Sequence, residues 1–177
     1  MSNDEATIFL THIETPIGTM VACAVEHGLC LLEFADRPTL DKQFASIKKL
    51  FNGQIVEGES SYFEMLRQQL SEYFERTRKV FSIPLVTPGT DFQQLVWKEL
   101  QNVPFGITRT YKQQSIALNN LEAIRAVASA NGMNRIAIII PCHRIVGNNG
   151  DLTGYAGGLW RKQWLLDFER GTQRLDF

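Results

Sequence analysis

Cys142 and His143 are the only adjacent thiol and imidazole in the 177-residue chain. A cysteine of ordinary acidity, with a pKa of about 8.5, is only slightly ionised at neutral pH, so a nucleophilic role requires a neighbouring base or cation. His143 and Arg144 supply one of each. In an extended chain, adjacent side chains point to opposite faces. A Cys142–His143 interaction therefore needs a kinked backbone or a bridging water, and Pro141, which has no amide donor, favours the kink. The imidazole would also need an orienting acceptor, and Glu169 near the C-terminus is a suitable carboxylate. A structural thiol followed by two solvated polar residues fits the same pair equally well.

Several elements must position these residues. Ile136-Ala137-Ile138-Ile139-Ile140 is an apolar, β-branched run that suits a fully buried strand or a segment threaded through a core, with regular pairing ended by Pro141. After it come two glycine-rich stretches, Gly147-Asn148-Asn149-Gly150 and Thr153-Gly154-Tyr155-Ala156-Gly157-Gly158. Such loops bring backbone close to a ligand, but the Gly-Lys-Ser/Thr ending of a phosphate loop is absent. A helix at 159–169, with Trp164, Leu165 and Phe168 as its apolar face, would carry Glu169.

Upstream, Thr90-Asp91 reads as the N-cap of a helix bearing Phe92, Leu95, Val96, Trp97 and Leu100. Two short helices, at about 112–118 and 122–131, flank a turn at Asn119-Asn120 and predict a helix-turn-helix. The second is built from Ala123, Ala126, Ala128, Ser129 and Ala130 around a single Arg125. Small residues permit close approach to another helix or to a nucleic-acid backbone, and composition alone favours the helix.

The first half reads as a β-meander, with strands at 7–13, 18–25 and 29–34, followed by helices at about 40–51 and 61–76. The Pro- and Gly-containing segment Phe81–Thr90 suggests a boundary, giving domains 1–84 and 85–177. The expected fold class is α+β: an N-terminal antiparallel sheet with helices, joined to a mostly helical C-terminal domain that contains the helix-turn-helix and the cysteine. Net charge is −1 overall, but residues 1–90 carry 8 basic and 12 acidic side chains, against 10 and 7 in residues 91–177. That imbalance favours an anionic partner for the second half.

Cys23 and Cys30, with His12 and His27 nearby, do not have a zinc spacing and read as core or surface thiols, so no metal is expected. Three irregularly spaced cysteines, an acidic start without a leader pattern and no apolar run of membrane-spanning length lead to the expectation of a cytoplasmic protein without a membrane association.

Pro141-Cys142-His143-Arg144-Ile145-Val146-Gly147 resembles the active-site signature of the O6-alkylguanine-DNA alkyltransferases, or methylated-DNA–protein-cysteine methyltransferases. Similar segments run in the family's order from Gly89-Thr90 through Val96-Trp97, Pro104-Phe105-Gly106, Tyr111, Arg125-Ala126-Val127, Ala130-Asn131-Gly132 and Asn134 to Leu152–Leu159 and Leu165-Leu166-x-x-Glu169. The first half is similar only in length and element order.

The resemblance implies irreversible, single-turnover transfer of an alkyl group from O6 of guanine, and O4 of thymine, in double-stranded DNA to Cys142. His143 would act through a water as base, Glu169 would orient it, and Asn134 would be a hinge tying the helix-turn-helix to an active-site strand. Tyr111 would help rotate the nucleotide and supply a proton as guanine leaves. Arg125 would fill the vacated stack, on a helix that meets the minor groove through Ala123, Ala126 and Ala128. Ile145, Tyr155, Ala156, Gly157 and Gly158 would line the substrate pocket; the carbonyls of Cys142 and Ile145 and the Ala156 amide would bond the base edge. No cofactor is implied, and a monomer is expected. Arg135 stands where the family has proline, and Ala128 where it has glycine; Arg135 adds positive charge near the DNA. The competing function is a damage-binding protein that performs no transfer, against which Cys142 itself argues. A regulator of this family would need a further cysteine cluster that three cysteines cannot supply, and a Cys-His hydrolase is the remaining alternative.

Overall fold

The computed structural model describes residues 4–172 and divides into two compact units, Met1–Pro88 and Gly89–Phe177. In the first, β1 (Ala6–Thr15), β2 (Gly18–Val25) and β3 (Gly28–Phe34) form the expected meander, followed by α1 (Leu40–Phe51), β4 (Gly53–Glu57) and α2 (Ser61–Phe74). The strand order is β3-β2-β1-β4. β1 and β3 pair antiparallel with β2, but β4 adds parallel to β1, so the sheet is mixed rather than wholly antiparallel. Asn52-Gly53 does end α1, with Asn52 left-handed at φ 47°. Gly53 then opens β4, because any Cβ there would lie 2.4 Å from the Ala6 carbonyl oxygen.

One face of this sheet buries Ile8, Leu10, Val21, Cys23 and Leu31 with Ile47 of α1, and Phe44 and Phe51 pack against them. Their spacing of two along strands and three to four along the helix is the periodicity by which each element turns its apolar side inward. The Val86 amide donates to the Leu29 carbonyl at 2.9 Å, and Leu85 bridges Leu29 of β3. Those pairings tie residues 85 and 86 to the first unit, so the chain passes to the second at Pro88/Gly89 rather than at the 84/85 boundary expected from composition.

The second unit contains α3 (Asp91–Leu100), β5 (Arg109–Thr110), α4 (Tyr111–Ala117), a 3-10 turn at Leu121–Ala123, α5 (Ile124–Gly132), a 3-10 turn at Cys142–Arg144, β6 (Ile145–Val146) and α6 (Leu159–Arg170). Thr90 and Gln93 form a full capping box at α3, and Thr110 and Gln113 repeat it at α4; each such cap contributes about 1 kcal/mol. The second helix of the helix-turn-helix starts later than expected, Ala123 belonging to the preceding 3-10 turn. Gln114 of α4 and Asn131 of α5 exchange two buried side-chain bonds, at 2.8 and 2.9 Å, which fix the two helices to each other.

Candidate active site

The run Ile136–Ile140 is buried throughout, yet it is not a strand. Instead the segment turns tightly on itself: the Ile139 amide bonds the Ala137 carbonyl, Ile140 bonds Ile136, and Cys142 bonds Ile140 at 2.8 Å. Ile138 has φ 71°, a conformation that costs a β-branched residue about 1–2 kcal/mol. Burial of the isoleucines holds the segment in this shape, and Asn134 replaces the missing sheet partner. Its Oδ1 accepts from the Ile136 amide at 3.0 Å while its Nδ2 donates to the Ile140 carbonyl at 2.9 Å. The same Nδ2 donates to Cys142 Sγ at 3.3 Å. A buried amide thus links the end of α5 directly to the sulfur, by way of a turn rather than an active-site strand.

Cys142 is partly accessible, whereas Cys23 and Cys30 are buried in the first unit. His27 is on an exposed turn. Among the described residues no group of three or more His, Cys, Asp or Glu is arranged to hold a metal ion.

His143 is fully buried, and its Nε2 lies 2.8 Å from Glu169 Oε1. Glu169 also accepts from Arg144 Nη2 on Oε1 and from Arg144 Nε on Oε2, each at 2.9 Å, and from the Gly106 amide on Oε2 at 3.2 Å. Arg144 Nη1 is satisfied by the Val103 carbonyl at 2.7 Å. Burial alone would raise the Glu169 carboxyl, but His143 and Arg144 outweigh it and hold the acid far below the usual carboxylate range. Burial, with some help from Arg144 and Lys162, pushes the His143 imidazolium down despite Glu169. The pair at neutral pH is therefore a carboxylate and a neutral imidazole. An ionised carboxylate can only accept, so Nε2 carries the proton and Nδ1 keeps its lone pair. Nδ1 is buried and makes no hydrogen bond to a protein atom. It is the nitrogen on which a proton could be received.

Arg144 was reachable from the sequence only as a possible cation for the thiol; its bidentate hold on Glu169 depends on α6 returning to the turn. Lys162 was missed altogether. It is wholly buried on α6, donates from Nζ to the carbonyls of Thr153 at 3.1 Å and Gly154 at 3.3 Å, and lies 5.9 Å from the Tyr111 ring centroid. Burial lowers its pKa, and Cys142 opposes that shift. Tyr111 OH donates to the same Thr153 carbonyl at 3.0 Å, with its pKa raised by burial. The available signal was a lysine on the inward side of a predicted helix, a position where lysine is rare unless partnered.

Along α5, Arg125, Ala126 and Ser129 face solvent, while Val127, Ala130 and Asn131 are buried. Ala126 and Ser129 are therefore not spent on packing, whereas Ala130 is, its carbonyl accepting from Trp97 Nε1 at 2.9 Å. Ala123 and Ala128 are half-buried, as is Arg135 beside the Asn134 turn. In the glycine loop, Ala156 is exposed, Tyr155 and Gly158 are half-buried and Gly157 is buried; Ile145 lies wholly inside. An open groove in the first unit, bordered by His12, Phe74 and Arg67, has no cysteine in its lining, and Arg67 is already paired with Glu59.

Comparison with known proteins covers both units. Residues 91–171 match the model of the 6-O-methylguanine DNA methyltransferase DNA-binding domain, and residues 8–87 that of the 6-O-methylguanine DNA methyltransferase ribonuclease-like domain. The chain is 40% identical over 165 residues to a methylated-DNA–protein-cysteine methyltransferase of Methanosarcina barkeri, covering 92% of this chain and 97% of that protein. It is 37% identical over 163 residues to the constitutive one of Bacillus subtilis, covering 92% and 95%. Among solved structures, Mycobacterium tuberculosis O6-methylguanine methyltransferase superposes with TM-score 0.79 at 35% identity, covering 96% of each chain. Mycobacterium tuberculosis OGT in complex with DNA gives 0.80 at 34%, with the same coverage.

Proposed function

The chain belongs to the methylated-DNA–protein-cysteine methyltransferase family, DNA-binding enzymes of alkyl repair, and we propose that it transfers one alkyl group from O6 of guanine, and from O4 of thymine, to its own Cys142 and is thereby consumed. The observation that carries this reading is the buried pair of His143 and Glu169 with Nδ1 left open, beside a sulfur held by Asn134.

His143 takes the thiol proton through one bridging water, Nδ1 accepting while Nε2–H stays on Glu169. A neutral, buried base gains a proton here because the Glu169 carboxylate stabilises the resulting imidazolium. The Cys142 sulfur then attacks the alkyl carbon; the S–C bond forms as the C–O6 bond breaks, and the electron pair moves onto the base. Tyr111 supplies a proton to the leaving guanine and is reprotonated from the His143 imidazolium through water, so the net change is a thiol and an alkylated base becoming a thioether and an unmodified base. A thioether has no leaving group that water displaces, which accounts for single use. Lys162 acts as a positioning residue: its ammonium ties the Thr153–Gly154 backbone and places positive charge beside the forming thiolate.

The target atom is inside a duplex and has to be extruded, at a cost of a few kcal/mol. Arg125, exposed on α5, fills the gap from the minor groove. The neighbouring small side chains Ala123, Ala126 and Ala128 allow close approach there, where little sequence is read, and Arg135 adds charge toward the phosphates. Ile145, Tyr155, Ala156, Gly157 and Gly158 receive the base. The reading needs one chain only, double-stranded DNA as partner and no cofactor, and a free nucleophilic thiol suits a reducing cytoplasm.

The test is intact-mass measurement after incubation with a duplex containing O6-methylguanine. A gain of one methylene on Cys142 is expected, stoichiometric with protein and not exceeding it. Tight binding with unchanged mass would instead assign a damage-binding protein without transfer.

A further inference from the structure

Pro104-Phe105-Gly106 is among the segments that resemble the family but takes no part in the proposed proton transfer. It forms a turn between α3 and β5: the Ile107 amide closes on the Pro104 carbonyl at 3.1 Å, and Gly106, third of the four residues, has φ 79°. That position of such a turn calls for glycine. Glycine is needed there a second time, because a Cβ would lie 3.2 Å from the Glu169 backbone carbonyl oxygen, so the turn sits directly against the last turn of α6. The same segment holds both members of the buried ion pair. The Val103 carbonyl accepts from Arg144 Nη1 at 2.7 Å, and the Gly106 amide donates to Glu169 Oε2 at 3.2 Å. Between those two contacts the Phe105 ring lies 5.9 Å from the Arg144 guanidinium carbon and meets the Phe168 ring at a steep angle, 6.4 Å between centroids. A bidentate pair fixes the geometry of its two members but leaves them free to shift together. Here each is anchored to one turn, and the carboxylate bound through Oε2 presents Oε1 to His143 Nε2.

We infer that the Val103–Gly106 turn is the positioning element of the base, its two backbone contacts fixing the Arg144–Glu169 pair so that His143 keeps its proton on Nε2 and its Nδ1 lone pair open. The consequence for rate rests on the proposed transfer to Cys142; the hold on the imidazole does not. A base acts through a narrow range of positions, and a misplacement of about 1 Å costs on the order of 100-fold in rate. The turn touches neither Cys142 nor the base edge through any of these contacts, so it acts through Glu169 and His143 alone.

Neither backbone group can be substituted, so the experiment reshapes the turn. Gly106→Ala introduces the Cβ at a positive φ, whereas Phe105→Leu removes the ring and keeps an apolar side chain. Three quantities are compared with the wild type: the limiting single-turnover rate constant on an O6-methylguanine duplex, duplex affinity by fluorescence anisotropy, and the His143 tautomer from long-range 1H–15N correlation spectra. Gly106→Ala should slow the limiting rate by about 100-fold, leave affinity unchanged, and convert a single Nε2–H tautomer into a mixture. Phe105→Leu should slow it by about threefold, the lower range for loss of a cation–aromatic contact, with a smaller change of tautomer. Slower transfer with the wild-type tautomer would make the turn a structural support only and overturn the positioning role, as would a loss confined to affinity or no change at all. Should the alanine variant not fold, Phe105→Leu decides by the same readouts. A wild type that shows the Nε2–H tautomer but transfers nothing would remove the transfer reading and leave the hold on the imidazole standing.

Discussion

Two carboxylates in this chain are buried beside an arginine, and their environments drive them in opposite directions. Glu33, on β3 of the first unit, is paired with Arg37 one helical turn's separation along the sequence, and both side chains are nearly inaccessible. Burial nevertheless dominates and pushes Glu33 up to about 7, with Arg37 and the Phe34 backbone only opposing it. Glu169, on α6 of the second unit, loses comparable solvent but receives four hydrogen bonds, from His143, Arg144 twice and Gly106. There the donors win. Removing a carboxylate from water costs several kcal/mol whatever its neighbours, so the number and geometry of the donors decide the protonation state. Glu33 is on the edge of being neutral; Glu169 is held as an anion, as the proposed role of orienting a base requires.

The largest effect should come from breaking the fixed anion. Glu169→Gln puts an amide donor where Arg144 and His143 already donate. It should slow Cys142 alkylation by at least about 100-fold, the range supplied by general base catalysis, and cost on the order of 3 kcal/mol of stability, as broken buried pairs do. Quenched-flow mass analysis and urea unfolding measure the two. A variant with near wild-type transfer would dismiss Glu169 as the orienting group.

Next in size is the third buried charge. Lys162→Gln keeps a donor toward the Thr153 and Gly154 carbonyls but removes the cation, and should slow the chemical step by about tenfold, because no positive charge then favours the thiolate. Duplex affinity should be unchanged by fluorescence anisotropy, and the thiol's pH profile for iodoacetamide labelling should move to higher pH. A loss confined to affinity would contradict this placement of the charge.

A pH series sharpens the contrast further. His143 is held below its ordinary value of 6.5, so transfer should stay level as pH falls to that value and decline only below it. The stability that depends on keeping His143 neutral follows the same sign: the unfolded imidazole takes a proton below 6.5 that the folded one refuses, so it weakens as pH falls. Glu33 runs the other way. Between its ordinary 4.5 and about 7 the folded chain retains a proton that the unfolded chain has released, so this group's contribution weakens as pH rises, by at most about 1.4 kcal/mol per pH unit. Urea midpoints of wild type and Glu33→Gln, measured across that window, should differ in slope, and equal slopes would put Glu33 at an ordinary acidity.

The smallest expected effect is the activity change in Glu33→Gln, less than about twofold in the rate constant at saturating duplex, because a carboxylate serving only local structure takes no part in the proton path. Any larger loss in the chemical step would erase the distinction between the two carboxylates.

Much of this was legible along the chain. Thr90 and Gln93, and the alternating apolar residues of β1, are local signals whose meaning depends only on neighbours a few residues away, and they formed the expected elements. β4 was not legible, because its parallel partner β1 is separated from it by β2, β3 and α1 and its five residues carry no clear alternation. The Ile136–Ile140 run misled in one respect: composition reports burial, but only Asn134 and the strained Ile138 reveal that a buried chain can satisfy its amides without a sheet.

For function, the adjacent Cys142 and His143, the later Glu169, the glycine loop and the alanine-rich helix around Arg125 are all present in the residue order. Residue types and spacing thus specified which chemistry was available. Whether the imidazole would be a base, which of its nitrogens would be open, and which charges would gather around it depended on α6 bringing Lys162 and Glu169 against Arg144 and the Thr153 loop. Protonation states are set by desolvation and by donors distant in sequence, so only the tertiary structure decided them.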